Sequence, residues 1–190
     1  MAVAQINLKD RQRAERKLLI TVAEWYEDEE GTSTSTSTST SATRKREILG
    51  TRTEDSSIEY NADIETTTDI RGINYTDVNR TQPQQDFDPY LILGGSKLGA
   101  YLNDIRRRNA VSELNNFTVY VITAFVGETG AYQAECHTGC TIAYTAIGGD
   151  SNVNMPISVY LSNDYNGSGA PATGTVDKLT EDFAFSKDAA

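Results

Sequence analysis

The sequence predicts a mainly β fold, a β-sandwich or partial barrel, with one flanking α-helix near residues 96–110. Two observations carry that prediction. Several stretches alternate apolar and polar residues with the strand period of two, and turn residues separate them. One stretch alone has a strong helical period, with Leu98, Tyr101, Leu102 and Ile105 at i, i+3, i+4 and i+7. About eight strands and one helix suit a sheet with a helix laid on it. A chain of 190 residues buries a full core as one domain, here residues 17–190.

Taken in order, residues 1–16 are polar and lack a clean period, and read as an extended N-terminal arm. Leu18 to Tyr26 is apolar and partly β-branched, a strand. The stretch 31–43 holds a Thr-Ser repeat, Thr32 to Ser41, with no apolar residue to bury. A low-complexity flexible loop is one reading, and a strand with every Thr on one face is the other. Either way the flanks form a hairpin base. Glu27, Asp28, Glu29 and Glu30 precede the repeat, Arg44, Lys45 and Arg46 follow it, and opposite charges attract across strands. A second strand is expected over Glu47 to Asp55.

Ser57 to Gly72 reads as one strand with two unlike faces. Ile58, Tyr60, Ala62 and Ile64 fall on one face, and Glu59, Asn61, Asp63, Glu65, Thr67 and Asp69 on the other. A row of carboxylates is either a solvated outer face or a surface that repels polyanions. Ile73 to Leu93 is polar, interrupted by Pro83 and Pro89, and reads as a long extended surface segment. Ser96 then stands as N-cap of the helix, and Arg106, Arg107 and Arg108 crowd its C-terminal end, where cations suit the dipole.

Phe117 to Val126 is apolar on both faces, a central strand. Residues 127–130, GETG, make a tight turn. Ala131 to His137 and Cys140 to Ile147 continue the sheet with a bulge expected at Gly139. Pro156 to Ser162 alternates cleanly, Asn163 to Gly174 is a glycine-rich loop, and Thr175 to Leu179 and Asp182 to Ser186 are one or two last strands.

Composition limits the function. Net charge is −10, with the acid excess on residues 54–95 and 114–190. Nucleic-acid affinity rests largely on Lys and Arg displacing counterions, so electrostatics argues against a DNA-binding protein. The N-terminus lacks a signal-peptide core, and no stretch has the apolar length of a membrane span. Cys136-His137-Thr138-Gly139-Cys140 invites a zinc reading, but a structural site needs four ligands and the chain has no other Cys or His. Buried thiols beside a surface histidine is the expectation, with no metal, no cofactor and no catalytic residues. Gly94-Gly95-Ser96 opens a helix without the lysine and further glycines of a phosphate loop.

Four motifs in order, IEYNADIETTTDIRG, DFDPYLILGGSKL, ECHTGCTIAYTAIGGD and VNMPISVYLSND, resemble the major tail tube protein of long, non-contractile-tailed bacteriophages. The resemblance covers roughly residues 45–186. It implies a virion protein with a β-sandwich and flanking helix, shared with tubes of contractile tails and type VI secretion. It implies homohexameric rings stacked into a tube around a tape-measure protein, with tail terminator and distal tail proteins at the ends. Assembly would take place in the host cytoplasm, with DNA passing through during ejection and no membrane partner. On that reading Glu59, Asp63, Glu65 and Asp69 face the lumen, and Ile58, Tyr60, Ala62 and Ile64 face the sandwich core. The alternative is another phage or surface β-sandwich module, a capsid-decoration or adhesive protein, for which the Tyr165-Asn166-Gly167 loop is the one candidate.

Overall fold

The computed structural model describes residues 15–28, 42–51, 53 and 56–189; most of the N-terminal arm and of the 31–43 loop lies outside them. The fold is mainly β, with antiparallel sheets and one α-helix. A main sheet takes the order β2 (Ala42–Ile48), β1 (Leu19–Asp28), β7 (Phe117–Glu128), β8 (Ala131–Tyr144), β9 (Ile157–Tyr160), β6 (Gln84–Phe87), β3 (Ile58–Glu59). A branch, β10 (Ala172–Val176) with β11 (Phe185–Lys187), joins through β8. A separate two-stranded ribbon pairs β4 (Asp63–Thr68) with β5 (Asn74–Arg80).

β8 organises the sheet because it is long and carries a bulge. Its first half pairs with β10 through Tyr132 to Cys136, and its second half with β9 through Thr141 to Tyr144. Between them the register against β7 shifts, and Gly139 takes φ 68°, a left-handed value glycine adopts without a Cβ clash. The bulge lies at the glycine where the sequence placed one.

Two cores lie on opposite faces of β1, β7 and β8. Alternation explains the split: Ala23, Val119 and Val121 enter one core, and Val22, Tyr120 and Ile122 the other. The helix α1 (Lys97–Arg108) closes the first core. Leu98, Leu102 and Ile105 are fully buried, and half-buried Tyr101 stacks on Trp25 with centroids 5.7 Å apart. Ser96 Oγ accepts the Gly99 N–H, and the chain leaves α1 through Asn109 in the left-handed conformation. The Glu47 carboxylate also sits at this helix start, accepting the N–H groups of Lys97 at 2.6 Å and Leu98 at 2.9 Å. It thereby occupies the positive end of the dipole. Phe183, from the chain between β10 and β11, helps to close the second core.

Four expectations are corrected. The second strand is Ala42–Ile48, not Glu47 to Asp55; cross-strand charge pairing draws the basic run into it, with Arg46 opposite Glu24. Ile73 to Leu93 is an extended surface segment only in its first part, where Ile73 to Val78 are exposed; the rest holds β6, and Gln85, Phe87 and Tyr90 are buried. Gln85 is accommodated because Thr21 Oγ1 donates to its Oε1 and its Nε2 donates to Ser56 Oγ. The last strands are Ala172–Val176 and Phe185–Lys187, so β10 begins inside the predicted glycine-rich loop. Finally, Ser57 to Gly72 is two strands rather than one.

Candidate assembly surface

The break in the acidic stretch falls at Asn61, whose φ of 39° turns the chain out of the sheet plane. Before it, Ile58 and Glu59 pair with Gln85 and Gln84 at the sheet edge. After it, the chain runs out along β4, turns at residues 69–73, and returns along β5. Gln82 N–H donates to the Tyr60 carbonyl and closes the ribbon at its base.

Directly opposed residues of an antiparallel pair share a face. One face of the ribbon carries Ile64 opposite Val78, Thr66 opposite Thr76, and Thr68 opposite Asn74. The other carries Glu65 opposite Asp77 and Thr67 opposite Tyr75. Asp63, two residues before Glu65, joins this face and stands in register with Arg80, past a register shift next to Ile64. Both faces meet water: Ile64 is 58% exposed and Val78 60%. The dry face expected for Ile58, Tyr60, Ala62 and Ile64 is therefore corrected. Ile58 alone packs against the core, while Tyr60, Ala62 and Ile64 are exposed because the Asn61 turn carries them off the sheet.

The four carboxylates named from sequence do not form one row. Glu59 stays on the sheet edge, and Asp63 and Glu65 ride on the ribbon. Asp69 closes the ribbon's turn, its Oδ1 accepting the N–H groups of Arg71 at 2.8 Å and Ile73 at 2.9 Å. These bonds, the Ile73 one foremost, hold its carboxyl below the usual carboxylate range. Asp77 is an acidic member that the sequence reading passed over; its signal was the alternation of Tyr75, Asp77 and Asn79 along β5.

The cysteine-histidine cluster comes apart in space. The Gly139 bulge sends Cys136 into the second core and Cys140 into the first. Burial pushes both thiols up to about 11. His137 is buried rather than on the surface, a further correction. It shares the inward face of Val119, and its Nδ1–H donates to the Ser162 carbonyl at 2.6 Å. Among the described residues no group of three or more His, Cys, Asp or Glu is arranged to hold a metal ion. No helix among them is long and apolar enough to cross a membrane. No protein-family model, curated protein or solved structure matches the chain.

Proposed function

We propose that the protein is a structural subunit of a bacteriophage tail tube, assembled as stacked hexameric rings. The observation that carries the reading is the β4–β5 ribbon. Among the described residues it is a sheet paired only with itself, apolar at Ile64 and Val78 on one face and carrying Asp63, Glu65 and Asp77 on the other. A lone two-stranded ribbon is marginal in water, and exposed Ile and Val gain stability when a neighbouring copy covers them. Among the described residues β2 and β3 have one unpaired edge each, which adds strand groups for pairing between copies. A head-to-tail contact of this kind closes into a ring when the rotation permits, and stacking along the axis does not close. The sequence resemblance over residues 45–186 supports the same class.

On this reading the apolar face of the ribbon packs on a neighbour and the acidic face looks into the lumen. A wall of Lys or Arg would bind phosphates and release counterions at every ring. Carboxylates make no such bonds. The screening length of about 8 Å at physiological salt confines their repulsion to the wall, where adhesion would occur. Glu59 borders this wall, and Asp69 serves the turn. The protein acts by assembly, without a chemical step.

Negative-stain electron microscopy of the purified protein tests the class. Six-fold rings or hollow tubes are expected. Dispersed monomers at all concentrations would reject the reading and leave a decoration or adhesive module in its place.

A further inference from the structure

The geometry points to a binding pocket for a neutral saccharide at the base of the ribbon, a proposal independent of the tube reading. The pocket has a volume of about 320 Å³, within the range of small-molecule sites. Its walls include Asn61, Gln82, Gln84, Asn163, Tyr160 and Leu161, and among the described residues no charged side chain lines it. That is unusual on a chain of net charge −10. The larger cleft between β1 and α1, by contrast, carries Glu27, Asp104, Arg108 and Glu113.

The polar groups are held in fixed orientations. Asn163 Nδ2 donates to the Thr81 carbonyl at 2.8 Å, Asn61 Nδ2 to the Gln82 carbonyl at 3.3 Å, and Gln84 Nε2 to Asp86 Oδ1 at 2.9 Å. Each amide is anchored through one N–H, which leaves its second N–H to donate and its carbonyl oxygen to accept. Gln84 lies directly across the sheet from Tyr160, so the amide and the phenol ring stand side by side on one face. The ring is 45% exposed and offers a flat apolar plate with a hydroxyl at its end.

Amides that both donate and accept beside an aromatic plate suit a ligand with hydroxyls on its edges and C–H on its face. A pyranose has that distribution. Glu59 stands next to Gln84 on the adjoining strand, so a carboxylated sugar is disfavoured and an uncharged one is not.

Saturation-transfer NMR tests the pocket in either assembled or dispersed protein, with maltotriose, cellotriose and the N-acetylglucosamine trimer as probes at about 10 mM. Transfer to the C–H protons of at least one probe is expected, and glucuronic acid should receive less. Tyr160→Ala should weaken binding about tenfold or more, and Tyr160→Phe should keep most of it. Asn163→Ala provides a second variant away from the sheet should Tyr160→Ala fold poorly. The proposal fails if wild-type protein transfers to none of the three probes. It also fails if a folded Tyr160→Ala or Asn163→Ala variant binds as wild type.

Discussion

Arg46 and Glu24 face each other across β2 and β1 as a buried ion pair, with Nε 2.5 Å from Oε2 and both side chains more than nine-tenths covered. The guanidinium does more than neutralise the carboxylate. Its Nη1 donates to the Phe183 carbonyl at 2.6 Å, and its Cζ lies 4.0 Å above the Phe183 ring. One side chain therefore ties the β1–β2 hairpin to the segment that closes the second core. Removing one partner of a buried pair strands the other charge, so Arg46→Met should cost about 3–5 kcal/mol in urea unfolding. Adding Glu24→Gln should recover part of that loss. A single-variant cost below about 1 kcal/mol would mean that water reaches the pair.

Leu102 lies fully buried at the centre of the helix stripe. Leu102→Ala should lower unfolding stability by about 2–5 kcal/mol, the range for emptying a leucine-sized site. A near-zero change would show that α1 does not close the first core.

Both thiols are held neutral by burial, with pKa values raised from 9.0 to about 11. At pH 8 the folded protein should react slowly with Ellman's reagent, and two thiols should appear at once in denaturant. A raised pKa stabilises the fold fully below pH 9 and loses that contribution as pH climbs through about 11. Melting temperature should therefore fall across this alkaline window, less so in Cys136→Ala. Rapid labelling of native protein would contradict the burial.

Asp69 has a carboxyl held below its ordinary 3.8 by the Ile73 and Arg71 amides. A depressed pKa contributes stability above 3.8 and loses it as pH falls through the lower folded value. The Ile73 amide resonance should thus titrate with a midpoint under 3.8. Asp69→Ala should loosen the ribbon's turn and leave core melting nearly unchanged; a large loss of core stability would show that the ribbon is packed into it.

If the acidic groups line a lumen, Glu59→Lys combined with Asp63→Lys should permit tube formation but slow or stall genome ejection. Wild-type ejection kinetics from tubes shown to carry both lysines would remove these residues from the wall.

The helix was legible because its signals are local: a four-residue stripe, a serine cap and a basic last turn. The bulge was legible because Gly139 interrupts a strand pattern. β6 was not, since Gln84, Gln85, Asp86 and Phe87 read as loop. Gln85 is buried only because Thr21 and Ser56, distant in sequence, supply its partners. Arg46 was hidden in the same way, its burial depending on Glu24 and Phe183. The acidic stretch misled because a period of two persists through Asn61, while the backbone there does not. Alternation tells which residues share a face and is silent on whether that face is covered.

The bulge in β8 has a consequence for length variation along the chain. Phe117, Val119 and Val121 keep one parity throughout β7, while the inward residues of β8 switch from odd to even, His137 to Cys140. Thr138 and Gly139 together oppose Thr118, so one of them is surplus to the ladder. Deleting Gly139 would leave Cys136 and Cys140 facing their present cores, because the strand would simply become regular. What would vanish is the bulge, and with it the reason β10 and β9 occupy successive stretches of a single edge. A one-residue deletion here should therefore keep the hydrophobic pattern yet change how the two halves of the sheet meet, a difference visible in the backbone amide shifts of Ala172 and Ile157.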